Sequence, residues 1–325
     1  MEEKAKRSSD LNADLPPLIF LGTPDFAVPS LKQLAASKAP IRMVVTQPDR
    51  PSGRGKKVTA PPVKVLAEQL GIPVFQPQRV KGDEVLDVIR AQEVRCAVVV
   101  AFGQILPRAF LDLFPRGVLN VHGSLLPKYR GAAPVQRAIL AGESVTGVSI
   151  MLLDEGMDTG PVLAERDLSI ARDEAFGSVY DRMAKLGADL LVDTLRRWHA
   201  GTITPRAQDE SRATYAPPVR KEELSLDWTL PARNIVNKIR AFDPWPGAYA
   251  LFGGKRIKCF DAKALGWRGD GAPGEVAGIS EEGIVVFGGD GHALAVGALQ
   301  AEGRDRLPAR DFLRGRRIAP GSRLE

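Results

Sequence analysis

The chain has 325 residues, an ordinary apolar share and a net charge of +6, which points to two globular domains and excludes a disordered or low-complexity protein. The basic excess is mild and spread evenly, so composition is compatible with a nucleic-acid partner without indicating one. Two cysteines without a CxxC pair give neither a disulfide framework nor a zinc site, and the longest clean apolar run, CAVVVAF (96–102), is too short to span a bilayer.

The start, MEEKAKRSSDLNADLPP, mixes acids with bases and matches neither a signal nor a transit peptide. Residues 1–16 are expected to be a flexible tail and the protein cytoplasmic. From residue 18 strand and helix patterns alternate. LIFLG (18–22) is a buried strand, followed by a helix from Asp25 that Pro29 is expected to kink. IRMVVTQ (41–47) is the next strand, and TQPDRPSGRGKKVTAPP (46–62) a long connection without periodicity. PVKVLAEQL (62–70) is helical, VFQ a short strand, DEVLDVIRAQ (83–92) helical and CAVVVAF a central strand. PRAFLDLF is helical, VLNVHGS a strand, APVQRAILAG a helix and TGVSIMLLD a strand. A long amphipathic helix covers roughly 174–199. The alternation predicts an α/β, doubly wound, mostly parallel sheet. Residues 201–223 are polar and Pro-containing and read as a linker or crossing segment. Beyond them one helix precedes short strands with Gly turns, the look of a smaller OB-like β-barrel.

In VLNVHGS, Asn120 and His122 share one face while Leu119 and Val121 take the other. Ligands of open parallel sheets sit beyond the carboxyl ends of strands. Three loops are expected there: the one after Asn120 and His122, FGQILP (102–107), and DEGMDTGP (154–161). On the residues alone, Asn120 and His122 either hydrogen-bond loop backbone or face a cleft. The 46–62 connection carries Arg50, Arg54, Lys56 and Lys57 against Asp49 alone. Such a run is a solvated loop or a phosphate-binding one. GTP (22–24) stands where a GxGxxG fingerprint would sit, which removes the main support for a nicotinamide dehydrogenase.

The stretches FLGTPDFAVPSL, TQPDRPSGRGKK, VVAFGQILP, NVHGSLLPKYRGAAPVQRAI, DEGMDTGPVL and AFDPWPGAY closely resemble the methionyl-tRNA formyltransferase family, enzymes that use 10-formyltetrahydrofolate as formyl donor. The resemblance implies a Rossmann-like catalytic domain over 17–204, a linker over 205–225 and an OB-like tRNA-binding domain over 226–325. It implies catalytic roles for Asn120, His122 and Asp158, folate contacts from Phe102, Gly103, Ile105, Leu106, Ser124, Leu125, Leu126, Pro127 and Asp154, and tRNA contacts from Arg50, Arg54, Lys56 and Lys57. It implies no metal. Initiator methionyl-tRNA is the expected partner, and a monomer is expected because no self-association stripe stands out. Arg137 departs from the family, which usually carries Trp there. The implied chemistry is acyl transfer, with Asn120 and a protonated His122 donating to a negatively charged oxygen and Asp158 holding the imidazole's proton. Two other readings fit parts of the sequence. A folate-dependent formyltransferase acting on a small amine would need neither the basic loop nor the barrel. A nucleic-acid-binding protein with a vestigial first domain would not need the intact Asn-x-His and MDTG.

Overall fold

A computed structural model describes residues 15–52, 57–314 and 318–325. The chain divides into two compact units. One draws on the chain up to Gly131, on Gly147–Leu168 and on Asp181–Tyr215; the other on Ala132–Thr146, Ser169–Tyr180 and Ala216–Glu325.

The strands of the first part of the chain are β1 (Leu18–Gly22), β2 (Ile41–Val45), β3 (Arg50–Ser52), β4 (Lys57–Thr59), β5 (Val74–Phe75), β6 (Cys96–Val100), β7 (Val118–His122), β8 (Val145–Leu152) and β9 (Val162–Ser169). Seven of them form one sheet in the order β5-β2-β1-β6-β7-β8-β9. The pairs β2–β5, β1–β2, β1–β6 and β6–β7 are parallel. β1, β6 and β7 are buried along their whole length, as the near-continuous apolar runs of a sheet covered on both faces require. Ile19, Leu21, Val45, Ala97 and Val99 pack against Leu86, Ile89, Phe110 and Phe114, and each fully buried side chain of this size contributes about 1.5–3 kcal/mol. Leu86 and Ile89 stand three apart on the helix Asp83–Arg90, so one face is buried, while Asp83 and Glu84 favour its amino end. The helix Phe176–His199 is anchored near its end by Trp198, whose Nε1 donates to the Arg116 carbonyl at 2.8 Å.

Three local readings are corrected. Pro29 kinks nothing: the helix runs Val28–Ala36, with the proline in its first turn, where no intrahelical N–H is required. The basic connection is not wholly irregular, since β3 and β4 pair antiparallel, Arg50 opposite Thr59 and Pro51 opposite Val58. And β8 runs antiparallel to β7, with Leu152 opposite Leu119 and Ser149 opposite His122. The 154–161 loop therefore leaves the sheet at the edge opposite the carboxyl ends of β6 and β7.

The second unit holds β10 (Tyr249–Phe252), β11 (Lys255–Arg268), β12 (Val276–Ser280), β13 (Gly283–Phe287), β14 (His292–Ala301) and β15 (Leu307–Pro308). They make an antiparallel sheet in the order β10-β11-β14-β13-β12, with β15 added to β14. The helix Ala232–Ala241 packs on β11 and on the helix Pro134–Leu140. Its buried Arg240 is held by the Glu174 carbonyl and the Asn237 side chain at 2.9 and 3.0 Å. Arg137 has its own setting in this unit, donating to the Pro217 and Pro218 carbonyls and pairing with Glu223. No helix among the described residues is long and apolar enough to cross a membrane.

Candidate active site

β7 carries the site because its two polar side chains fall on alternate positions of an otherwise apolar strand. Asn120 is 9 % and His122 5 % exposed. The Asn120 amide has no hydrogen-bond partner among the described residues, an arrangement costly for a sealed amide and suited to one that awaits a ligand. The imidazole is committed on both sides. Its Nε2 lies 3.0 Å from the Tyr129 carbonyl, which can only accept, so Nε2 carries a proton. Its Nδ1 lies 3.5 Å from Asp158 Oδ2.

Asp158 reaches His122 although β8 runs the unexpected way. The turn from β8 to β9 closes where the Leu152 N–H meets the Pro161 carbonyl at 3.0 Å. Gly160 makes this closure possible, because a Cβ there would stand 1.9 Å from the Leu152 carbonyl oxygen. Asp158 itself has φ +53, a left-handed conformation that costs a non-glycine residue about 1–3 kcal/mol and persists only where neighbours impose it. Its Oδ2 accepts the Gly131 N–H at 2.8 Å, and Gly131, at φ +117, has the freedom to present that N–H. One carboxylate oxygen thus faces a backbone donor and an imidazole nitrogen together.

The loop after β6 is built from its neighbours. The Phe102 carbonyl accepts from Thr23 Oγ1 at 3.0 Å and Gln47 Nε2 at 3.2 Å, so residues following β1, β2 and β6 meet at one point. Phe102 and Leu106 place their side chains in the core. Gly103 is left-handed at φ +82, and Ile105 is 91 % exposed. In the SLLP turn, Ser124 is buried and donates to the Lys128 carbonyl at 2.5 Å. Ser149 Oγ accepts the Leu126 N–H and donates to the Ser124 carbonyl. Leu126 packs on Met151 and Val162, Leu125 is half-buried and the Leu126–Pro127 peptide is cis. Asp154 uses Oδ1 to hold Gly156 N and Thr159 Oγ1 within its own loop. Arg50 donates to Gln47 Oε1 at 3.0 Å, which ties β3 to the support of Phe102. Arg54 and Lys56 lie outside the described residues; Lys57 is in β4.

Two family models cover most of the sequence: formyl transferase over residues 18–195 and formyl transferase, C-terminal domain, over 218–317. The chain belongs to the formyl transferase family. Among its curated relatives, the methionyl-tRNA formyltransferase of Citrifermentans bemidjiense is 47 % identical over 307 residues, covering 94 % of this chain and 96 % of the relative. That of Geobacter metallireducens is 46 % identical, covering 94 % and 98 %. Among solved structures, the N-formyltransferase from Helicobacter canadensis in complex with folinic acid and dTDP-3-aminofucose aligns with a TM-score of 0.65 at 18 % identity, over 87 % of this chain and 98 % of that one. HypX from Aquifex aeolicus in complex with tetrahydrofolic acid gives 0.62 at 19 %, over 93 % and 47 %. At those identities the two structures establish the fold alone.

In this formyl transferase the residues that sequence reasoning missed are the ones that support the three polar groups. Tyr129 and Gly131 act through backbone atoms, which no side-chain pattern reveals. Arg130 reads as one more base in KYRG, yet its side chain is fully buried. The 201–223 segment reads as a linker, yet its part through Tyr215 lies in the first unit, with Arg206 bridged to Val162.

Proposed function

We propose that this formyl transferase moves the formyl group of 10-formyltetrahydrofolate to the amino group of initiator methionyl-tRNA, giving N-formylmethionyl-tRNA for translation initiation. The observation that carries this reading is the seating of Asp158 Oδ2 between the Gly131 N–H and His122 Nδ1, beside an Asn120 amide with no partner among the described residues. Relatives aligned along both halves of the chain favour methionyl-tRNA over a smaller amine as acceptor. We read the first unit, which runs on through Tyr215, as the part that carries catalysis and 226–325 as the tRNA-binding part, in a cytoplasmic monomer.

The folate supplies an activated formyl group on nitrogen. Its holders are the loop residues Phe102, Gly103, Ile105 and Leu106, the turn Ser124–Pro127, and Asp154. The Asn120 amide, without a partner among the described residues, and the exposed Ile105 are what fit these segments to a ligand; Ser124, Phe102 and Leu106 serve by shaping the backbone. Asn120 donates its N–H to the formyl oxygen as negative charge grows there. With Nε2 held by Tyr129, Nδ1 is the imidazole's one exchangeable position, and it faces Asp158. A proton on Nδ1 points toward the Asp158 carboxylate, 3.5 Å away. The pair can give that proton to the developing oxyanion or the departing nitrogen, and can take one from the attacking amine. Arg50, Arg54, Lys56 and Lys57 neutralise tRNA phosphates.

A formyl-transfer assay with charged initiator tRNA, and in parallel with an amino-sugar nucleotide, tests the reading. Product is expected only with tRNA, and His122→Ala and Asp158→Asn are expected to fold and lose turnover. Near-normal activity in either folded variant, or transfer to the sugar alone, overturns it.

A further inference from the structure

Asp158 is held in a left-handed conformation, and something outside its own loop must keep it there. The Gly131 N–H holds its carboxylate, and one side-chain amide holds the main chain of its turn. Gln208 Nε2 donates to the Asp158 carbonyl at 2.8 Å and to the Gly160 carbonyl at 2.7 Å. Both hydrogens of that amide are thereby spent on the two residues that flank Thr159. Gln208 Oε1 is fixed in turn by Arg130, accepting from Nε at 3.1 Å and Nη2 at 2.8 Å. The other edge of the Arg130 guanidinium grips Glu210 in a two-pronged pair at 2.8 and 2.7 Å. Hydrogen bonding to this guanidinium holds the Glu210 carboxyl below its usual range. Arg130 lies between Tyr129, whose carbonyl takes His122 Nε2, and Gly131, whose N–H takes Asp158 Oδ2. One buried guanidinium therefore joins the backbone that orients His122 to the glutamine that orients Asp158.

We propose that Gln208 is a positioning residue: it fixes the main chain of the Asp158 turn, and through it the distance from the Asp158 carboxylate to His122. The kinetic part of this inference rests on the formyl-transfer reading above. Gln208→Glu separates the two functions of the side chain. It keeps an oxygen for Arg130 and sets a second oxygen, with no hydrogen, against the carbonyls of Asp158 and Gly160. Displacing a catalytic group by an ångström costs about a hundredfold in rate. In folded Gln208→Glu, kcat is expected to fall by about that factor, while KM for each substrate stays within about twofold. Wild-type kcat, or a loss carried by KM, overturns the proposal. If Gln208→Glu does not fold, Gln208→Met, of similar volume and without the amide, is judged by the same criterion. A crystal structure of whichever variant folds reads the inference independently of activity: Asp158 Oδ2 is expected to leave the Gly131 N–H, and its retention at 2.8 Å overturns it. An inactive wild type counts against the formyl-transfer reading; an undisturbed Asp158 in the variant counts against this inference alone.

Discussion

Asn120 shows how one uncommitted group can decide a site. Because its amide bonds to nothing else among the described residues, replacing it with alanine removes a donor without stranding a buried partner. Asn120→Ala is expected to unfold at the wild-type temperature and to lose a few hundredfold in kcat, about 3 kcal/mol of transition-state stabilisation. Steady-state kinetics with a melting curve check this, and a loss of less than about tenfold would remove Asn120 from the oxyanion role. Asn120 and His122 were legible in the sequence because strand alternation puts two expensive polar groups on one face of an apolar strand. Arg130 was not, because a buried arginine and a solvated one are spelled alike. Gln208 was not either: it bonds to backbone carbonyls, which have no sequence signature, and the family model that matches the catalytic part ends at residue 195, short of it.

At the level of elements, alternation of apolar runs with helical periodicity located six of the seven strands of the first sheet and missed β9, whose outer half is polar and exposed, and it carries no information on direction. β8 is preceded by a helix, as its parallel neighbours are, and its pairing, Leu152 opposite Leu119, reveals that it is reversed. The rule that ligands sit at carboxyl ends thus singled out the 154–161 loop for a reason that does not hold for this strand. Asp158 arrives because the turn is closed at Gly160 and tied to Gln208. The β3–β4 pairing escaped notice because a strand of three residues cannot establish a period. Of the bases that the resemblance assigns to tRNA, Arg50 lies in β3 and Lys57 in β4, while Arg54 and Lys56 lie outside the described residues. Arg54→Ala is expected to raise KM for methionyl-tRNA and lower turnover, and to leave the folate KM unchanged. The salt dependence of tRNA binding should lose roughly one phosphate contact's worth of slope. Filter binding across a salt series measures it, and equal losses toward both substrates would refute the division of labour.

Over the whole molecule, acid sensitivity is set partly by Arg137. Hydrogen-bonded to that guanidinium, the Glu223 carboxyl is held down to about 2, against the opposing pull of partial burial. A carboxyl whose folded pKa lies below its unfolded value of 4.5 stabilises the fold above 4.5 and loses that contribution as the pH drops toward 2. Arg137→Met should therefore be less stable than wild type near neutrality, with the gap closing below pH 4.5; urea titrations at a series of pH values follow it, and a gap independent of pH would assign the loss to packing. The order in which the chain visits its two units has a practical outcome of its own. The first unit is completed only at Tyr215, after the chain has crossed to the second unit and back twice. A gene fragment stopped at the end of the long helix, His199, would encode Asn120, His122 and Asp158 and still lack the glutamine that steadies the last of them. Anyone trimming this enzyme to a minimal catalyst has to keep a stretch that looks dispensable on paper.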